Sequence, residues 1–306
     1  MTIRIAIIGL GKIAQEQHLP AINADPHFDL VAVSTRSGHP PAGLPCFAQP
    51  RELFEAMSGR LDAVAICTPP GVRHAIAREA LAAGLAVLLE KPPAATLGEI
   101  EDLERQAREA GACLYAGWHS QHAHAVGAAA RLLAGQEIAK LHISWREDVR
   151  KYHAGQDWIW EPSGFGVFDP GINALSIATR ILPTRLFVED ARLFIPSNRQ
   201  APIAATLTFA GGAHGAEFDW RFDEGEEWAI RIETGSGLKV QLCDGGGRLL
   251  VDGAQRLAES RGEYPSMYAR FAELVAAKEV EVDREPLRIV ADAFLVAHRE
   301  LVEPFA

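Results

Sequence analysis

A glycine-rich turn follows the first apolar segment of the chain. Gly9, Gly11 and Ala14 have the spacing Gly-x-Gly-x-x-Ala, after the apolar residues 3 to 8 and before a helical pattern. At such a junction the first glycine permits the turn, the second lets a pyrophosphate approach the backbone, and the small third residue permits close packing. N–H groups at the helix start can bind the anion. The pattern predicts a dinucleotide site; the alternative is a tight turn without a ligand.

The end of the second predicted strand lacks the acid that usually binds the adenosine ribose of NAD. Residues 33 to 37 read VSTRS, so that Ser34, Thr35, Arg36 and Ser37 offer hydroxyls and a guanidinium. These groups suit a 2′-phosphate, and no carboxylate is present to repel it. We therefore predict NADP as the preferred cofactor, with NAD also accepted. The alternative is that Arg36 is a solvated surface residue and that the chain does not discriminate.

A lysine follows the fourth predicted strand, in the segment Leu89-Glu90-Lys91-Pro92-Pro93. The ligand crevice of a parallel sheet lies outside the carboxyl ends of its strands, so Lys91 can hydrogen-bond a substrate hydroxyl close to the nicotinamide. The prolines restrict the backbone on its carboxyl side. This interpretation depends on the position at the strand end, because lysines are common on any protein surface.

Asp169 and Asn173 lie four residues apart in the segment GFGVFDPGIN. On a helix that runs towards Ile181, the two side chains project from one face, one turn apart. The alternative is purely structural, because an aspartate before Pro170 is a common N-cap with proline in the first helical position. The local sequence leaves both interpretations open.

A polar loop with two tryptophans follows a predicted strand that ends near residue 145. Residues 145 to 153 read WREDVRKYH, and residues 156 to 160 read QDWIW. Charged groups can bind hydroxyls, and an indole ring can pack on the apolar face of a sugar, so the loop suits a polyol. The alternatives are a salt bridge at the strand end for Glu147 or Asp148, and a place in the core for each tryptophan.

Alternating strands and helices position the first of these residues. The predicted strands are short apolar runs at residues 3–8, 30–33, 63–66 and 86–89. A helical composition over 72–83 ends at Gly84, and Thr96 with Glu99 has the form of a capping box before another helix. This alternation is typical of a doubly wound parallel sheet.

Around residue 120 the apolar pattern changes to a period of two. The alternating segments are residues 140–145, 204–209, 215–222, 228–232 and 238–242. They predict a largely antiparallel open sheet, followed by helices over about 264–277 and 287–301. The predicted fold class is α/β plus α+β. It comprises an N-terminal Rossmann domain, 1–120, and a substrate-binding α+β domain, 121–306, whose last helices can pack back on the first domain.

The composition argues against several kinds of partner. The net charge of −10 and the pI of about 5.6 disfavour nucleic acid and an anionic membrane surface, which both require a basic patch. The amino terminus lacks the features of a signal peptide, and no apolar run approaches the roughly 20 residues of a spanning helix. The cysteines show no pairing motif, so we expect reduced thiols in the cytoplasm and no metal. The choice between monomer and homodimer stays open.

Taken in order, these motifs resemble those of the glucose-fructose oxidoreductase and inositol dehydrogenase (Gfo/Idh/MocA) family. The family's third motif is Gly-Gly-x3-Asp-x3-His, whereas this chain has Gly164-x-Gly166 and carries Asn173 in place of the histidine. Over nearly its full length the chain is similar to the bacterial subgroup of L-arabinose 1-dehydrogenases and D-galactose 1-dehydrogenases. The similarity includes the segments GLGKIAQEQHLPAI, EKPPAATLGE, EDVRKYHAGQDWIW and GVFDPGINALSIATRILP.

The resemblance implies an oxidoreductase that oxidises a cyclic sugar at its anomeric carbon, passing hydride to NAD(P) and releasing an aldonolactone. Lys91 and Asp169 would contact the anomeric hydroxyl, and Asp169, or the pair together, would take its proton. Asn173 cannot titrate, so a proton shuttle through that position is excluded. Further substrate contacts are assigned to His119, Glu147, His153, Trp158 and Asn173. Cofactor contacts are assigned to Gly9, Gly11, Lys12, Ile13, Ser34, Thr35, Arg36, Thr68, Pro69, Glu90 and Lys91.

Two other functions compete with this one. A dinucleotide-binding sugar sensor without turnover would be expected to lose Lys91 or the acid at 169, and both are present. A dehydrogenase for another aldose or for an inositol would keep the chemistry, although Asn173 and the tryptophan-rich loop count against inositol. L-Arabinopyranose and D-galactopyranose share their stereochemistry around most of the ring, so the sequence does not choose between them.

Overall fold

The computed structural model describes residues 2–36, 40–256 and 261–305. Contacts divide the chain into two compact units. Unit 1 comprises Met1–His119 and Tyr264–Arg284, and unit 2 comprises Ser120–Glu263 and Glu285–Ala306. Unit 1 is therefore discontinuous along the chain. The predicted domains, 1–120 and 121–306, stay a prediction, because compact units defined by contacts need not coincide with domains.

The strands of the described residues are, in chain order, β1 (Ile3–Ile8), β2 (Phe28–Ser34), β3 (Cys46–Phe47), β4 (Ala63–Ile66), β5 (Ala86–Glu90), β6 (Leu114–Gly117), β7 (Ile138–Arg146), β8 (Val188–Pro196), β9 (Ala204–Phe209), β10 (Ala213–Asp219), β11 (Glu227–Thr234), β12 (Lys239–Cys243), β13 (Arg248–Val251), β14 (Ala254–Arg256), β15 (Val280–Glu281) and β16 (His298–Val302).

The α-helices of the same residues are α1 (Leu19–Ala24), α2 (Pro50–Ala56), α3 (Pro70–Ala82), α4 (Leu97–Ala110), α5 (Val126–Leu133), α6 (Val149–Tyr152), α7 (Phe168–Ile181), α8 (Glu263–Ala277) and α9 (Glu285–Val296). A π-helix, Ala14–His18, leads directly into α1. Short 3₁₀ helices lie at His119–His122, Asp157–Trp160, Pro162–Gly164 and Asp244–Gly246.

Unit 1 is a doubly wound parallel sheet, in agreement with the predicted Rossmann fold. Its described strands have the order β15-β6-β5-β4-β1-β2-β3, and every pairing is parallel. Residues of α1 and α8 form the core on one face of the sheet, while α2, α3 and α4 form the core on the other. Because both faces are covered, the central strands are apolar throughout, and all four residues of β4 are buried.

Unit 2 is built on a largely antiparallel sheet, also as predicted. Its order is β14-β13-β12-β11-β7-β10-β9-β8-β16. Two pairings are parallel, between β10 and β7 and between β16 and β8. The apolar helix α7 packs on this sheet, and the rings of Phe168 and Phe218 lie 5.5 Å apart. This packing buries the first turn of α7, which carries Asp169.

The prediction of a helix over 287–301 is wrong at the carboxyl end of that range. Helix α9 ends at Val296, and His298–Val302 instead forms β16, paired in parallel with Arg192–Pro196 of β8. Strand β8 lies about 100 residues earlier in the chain and supplies hydrogen-bond partners for the backbone, which overrides the local helix propensity. Likewise, the strand predicted over 215–222 ends at Asp219, because Asp219 Oδ1 accepts the backbone N–H of Arg221 in a turn.

Within residues 2–36, 40–256 and 261–305, no helix has both the length and the apolar character needed to cross a membrane. The same described residues contain no group of three or more His, Cys, Asp or Glu side chains that could hold a metal ion.

Candidate active site

In the glycine-rich turn of unit 1, neighbouring residues pack closely against the first glycine and leave the second accessible. Gly9 has a φ of 89°, and its N–H donates to the carbonyl of Ser34 at 2.8 Å. A side chain on Gly9 would place Cβ 2.9 Å from the backbone nitrogen of Thr68, so only glycine fits without a shift. By contrast, a Cβ on Gly11 would meet open space, and Ala14 is fully buried. The backbone of the turn at Gly11 is therefore accessible to a ligand.

The predicted cofactor residues of unit 1 follow neighbouring strands. Ser34 ends β2, Thr68 and Pro69 come after β4, and Glu90 ends β5. The carboxyl ends of adjacent parallel strands meet at one edge of the sheet, which is the usual place for a ligand. Thr68 Oγ1 is buried at this edge and has no hydrogen-bond partner within the described part of the chain. A buried hydroxyl without a partner fits a ligand that supplies one.

Three of the residues at the end of β2 that the sequence assigns to the cofactor lie within the described part of the chain. Ser34 is buried, Thr35 donates its N–H to the carbonyl of Phe47 at 2.9 Å, and Arg36 is exposed. Lys12 and Ile13, at the start of the first helix, are exposed as well. Ser37, the remaining hydroxyl of this segment, lies outside the described residues.

A buried arginine clamps the backbone on both sides of Lys91. Arg73 is 2% exposed, and its guanidinium donates to the carbonyls of Glu90, Pro92 and Thr68. Five donors in a fixed fork suit this task, because one side chain can satisfy several carbonyls at once. Arg73 was not among the site residues predicted from the sequence. Its signal is a charged residue on the apolar face of α3, in register with the buried Ala77 and Ala80.

Glu90 is a buried carboxylate with partners from other parts of unit 1. Its Oε1 accepts the hydroxyl of Tyr264 at 2.7 Å and lies 3.5 Å from Nε2 of His18. Burial favours the neutral acid, but the interaction with His18 and the charges of His119 and Lys91 lower the pKa of Glu90 to about 2. Glu90 is therefore ionised at neutral pH. His119, assigned above to the substrate, lies in this unit and stacks on Tyr264 at 4.9 Å.

Asp169 is not the N-cap of its helix. Helix α7 begins at Phe168, and the capping position is Val167, which makes no side-chain capping bond. Asp169 is 5% exposed, and its Oδ2 lies 3.7 Å from Nε2 of His153. The purely structural alternative raised from the sequence is thus wrong in its geometry. Asn173 follows one turn later on α7 and is half-buried.

Close backbone packing brings the tryptophan loop to the start of α7. A Cβ on Gly164 would lie 2.1 Å from the carbonyl oxygen of Trp158, and a Cβ on Gly166 would lie 2.3 Å from that of Pro202. Both glycines therefore permit approaches that no other residue allows. The loop that carries His153 and the half-buried Trp158 is held against the helix that carries Asp169.

Glu147 lies just beyond the end of β7 and is 3% exposed. It accepts a hydrogen bond from the indole N–H of Trp228 at 2.8 Å, and Trp228 stacks on Trp145 at 5.8 Å. Trp228 was predicted only as part of the strand over 228–232, and this contact was not predicted. The second tryptophan of the polar loop, Trp160, lies in the core, as the alternative interpretation allowed.

Comparison with known proteins identifies the class. The model of the oxidoreductase family with an NAD-binding Rossmann fold, Gfo/Idh/MocA, matches residues 3–118. Galactose 1-dehydrogenase of Pseudomonas fluorescens is 45% identical to the chain, over 99% of this chain and 98% of that protein. The chain therefore belongs to the Gfo/Idh/MocA oxidoreductase family, as the motifs predict.

Solved structures give the same result for the fold. D-Galactose-1-dehydrogenase from Rhizobium etli superposes with a TM-score of 0.93 at 48% identity, over 100% of this chain and 98% of that one. A 3-ketoreductase from Actinomadura kijaniata, in complex with TDP-benzene and NADP, has a TM-score of 0.82 at 20% identity, with 100% of both chains covered. At that identity the likeness shows the fold alone. The chain is thus an enzyme of a family that binds NAD(P) through its Rossmann fold.

Proposed function

We propose that the chain is an aldose 1-dehydrogenase that oxidises D-galactose, L-arabinose or both at C1, with NADP preferred over NAD. The observation that carries the proposal is the full-length similarity, at 45% and 48% identity, to two proteins named as galactose 1-dehydrogenases. The retained Lys91 and the buried Asp169 support turnover over a sensor role.

The proposed reaction removes a hydride from C1 and a proton from the anomeric hydroxyl. When bound, the nicotinamide cofactor supplies the hydride acceptor. Lys91 would hydrogen-bond the anomeric oxygen, and Asp169, alone or with Lys91, would accept the proton as the C1–O bond becomes the carbonyl of the lactone. A carboxylate buried beside an imidazole, as Asp169 is beside His153, has little freedom to reorient and is suited to a directed proton transfer.

The remaining hydroxyls of the sugar need fixed polar partners. We assign them to Glu147, His153, Asn173 and His119, and the apolar face of the ring to Trp158. The hydrogen bond from Trp228 supports this role for Glu147, because a carboxylate held in one orientation binds a hydroxyl at lower entropic cost.

The cofactor preference is proposed from the end of β2. Residues 33–36 carry no acid, and the exposed guanidinium of Arg36 suits a 2′-phosphate. The cofactor residues proposed with it are Gly9, Gly11, Lys12, Ile13, Ser34, Thr35, Thr68, Pro69, Glu90 and Lys91.

The test measures the absorbance of reduced cofactor with NADP and NAD crossed against D-galactose, L-arabinose, D-xylose and myo-inositol. We expect reduction with D-galactose or L-arabinose, faster with NADP, and a selective loss of the NADP reaction in Arg36→Ala. Cofactor binding without reduction by any of these sugars would favour the sensor instead.

A further inference from the structure

A buried polar cluster lies behind the end of β5 in unit 1. We define the Glu90 cluster as His18, Glu90, Tyr264 and Tyr268. His18 Nδ1 and the hydroxyl of Tyr268 are 2.7 Å apart, His18 Nε2 lies 3.5 Å from Glu90 Oε1, and Tyr264 donates to the same Oε1 at 2.7 Å. The His18 side chain is fully buried and that of Glu90 is 3% exposed. The cluster therefore excludes water from both charged groups.

Stability alone does not account for a buried cluster of this kind. A buried ion pair often contributes less to folding than apolar residues of the same volume, because both ions lose their hydration. Buried titratable pairs of this kind concentrate at functional sites. His18 is also the last residue of a π-helix, a geometry that is rare and often functional.

The electrostatics indicate that the pair is ionised. Burial lowers the pKa of His18, but Cys67 and Glu90 outweigh burial and raise that pKa to about 10. The pKa of Glu90 is lowered to about 2. The cation of His18 thus balances the anion of Glu90 within the cluster.

The cluster adjoins Lys91 through one peptide bond. Glu90 is the last residue of β5, and Arg73 holds the carbonyls of Glu90 and Pro92. Fixing the Glu90 side chain therefore adds a second restraint to a backbone that is already restrained through its carbonyls. The direction in which the Lys91 ammonium points depends on that backbone.

We propose that His18 is a positioning residue for the proposed sugar oxidation, and that its ion pair with Glu90 fixes the end of β5 and thereby Lys91. This inference rests on the proposed function. Tyr264 supports the same carboxylate from α8, while Tyr268 orients the imidazole.

The test compares steady-state kinetics of wild type, His18→Gln, Tyr264→Phe and the double variant. His18→Gln removes the charge and keeps an amide donor, and Tyr264→Phe removes one donor to Glu90. We expect His18→Gln to lower kcat by roughly 10- to 100-fold, because a small misplacement of a catalytic group has a cost of that order. The KM for the cofactor is measured as well, because Glu90 and Lys91 are also proposed cofactor residues, and a role in positioning Lys91 for the proton transfer predicts a larger change in kcat than in that KM.

The double variant separates a positioning role from a general loss of structure. Because both residues act through Glu90, the loss of kcat in the double variant should be smaller than the product of the single losses. His27→Gln is the matched control, since His27 is an exposed histidine of the same unit that pairs with Asp25, and it should keep the wild-type kcat.

Four outcomes would contradict the positioning role or the proposed function. A kcat within about threefold of wild type in folded His18→Gln, or independent losses in the double variant, would overturn the positioning role. If His18→Gln does not fold, Tyr264→Phe carries the test, and an unchanged kcat there would also overturn it. A wild-type enzyme that reduces no cofactor with any sugar would instead refute the proposed function.

Discussion

Asp169 is the residue on which the proposed proton transfer depends. Replacing it with asparagine keeps the volume of a side chain that is 5% exposed, and removes its charge and its ability to accept a proton. We expect Asp169→Asn to lower kcat by roughly 100- to 10,000-fold, the usual contribution of a positioned general base. The melting temperature should change little. Stopped-flow and steady-state absorbance of the reduced cofactor measure kcat, and calorimetry measures the melting temperature.

Asp223→Asn is the control for this substitution, because Asp223 is exposed in the turn between β10 and β11 of the same unit. It should keep wild-type kinetics. If Asp169→Asn retains turnover within a few-fold and loses only stability, the carboxylate serves the fold and the proton goes elsewhere.

At the residue scale, the sequence predicted the polar side chains at the ends of strands. It did not predict the buried side chains that fix those strand ends in place. Lys91 and Glu90 were recognisable because Glu90 ends an apolar strand and Lys91 follows it. Arg73 and His18 were not, because their importance arises from burial against Glu90, which lies 17 and 72 positions away, and the register of Arg73 with Ala77 and Ala80 marks only its burial. The roles assigned to Lys91, Asp169 and the other substrate residues stay predictions.

Gly164 couples two elements of unit 2. A methyl group there would meet the carbonyl oxygen of Trp158 at 2.1 Å and the backbone of Ile159 at 2.6 Å, and neither can rotate away. We expect Gly164→Ala to lower the free energy of unfolding by about 1 to 3 kcal/mol, as overpacking does. The sugar KM should rise, because the loop with His153 must move away from α7. Urea unfolding and sugar titrations measure the two effects.

Gly127→Ala provides the contrast within unit 2. Gly127 lies in α5, where the nearest contact of an added Cβ would be the flexible end of Arg131 at 3.6 Å. Alanine there should leave the sugar KM unchanged and hold or raise stability, since it lowers the entropy of the unfolded chain. Equal effects of the two substitutions would argue against the coupling.

At the element scale, the sequence predicted what local patterns encode. The strand over 63–66 and the Thr96 capping box are confirmed, because uniform apolarity and a side-chain cap are properties of adjacent residues. The parallel pairing of β10 with β7 was not foreseen, because it joins segments about 70 residues apart. The π-helix at Ala14–His18 also lacked a signal, since its apolar spacing hardly differs from that of an α-helix.

The stability of the whole chain should depend on pH through the Glu90 cluster. Glu90 has a pKa lowered from 4.5 to about 2, so its contribution is present above pH 4.5 and is lost as the pH falls towards 2. His18 has a pKa raised from 6.5 to about 10, so its contribution is present below pH 6.5 and is lost as the pH rises towards 10. The full contribution of the pair lies between pH 4.5 and 6.5.

Urea unfolding of wild type and His18→Gln across this range measures the effect. The difference between their free energies of unfolding should be largest near pH 6 and should narrow towards pH 10, because the histidine loses its charge. Cys67, Tyr268 and Glu90 face the imidazole, and Tyr264, His119 and Lys91 face Glu90. A difference that stays constant from pH 6 to pH 10 would show that His18 is neutral in the folded protein.

The discontinuity of unit 1 has a consequence for biosynthesis. The chain leaves this unit at His119, and helix α8, which covers one face of its sheet together with α1, is translated about 145 residues later. A ribosome needs roughly 7 to 30 s for that stretch. During this interval the nascent nucleotide fold exposes the apolar surface that Met267 and Phe271 later bury. We therefore expect the nascent chain to be prone to aggregation, and to need protection by chaperones, until α8 emerges.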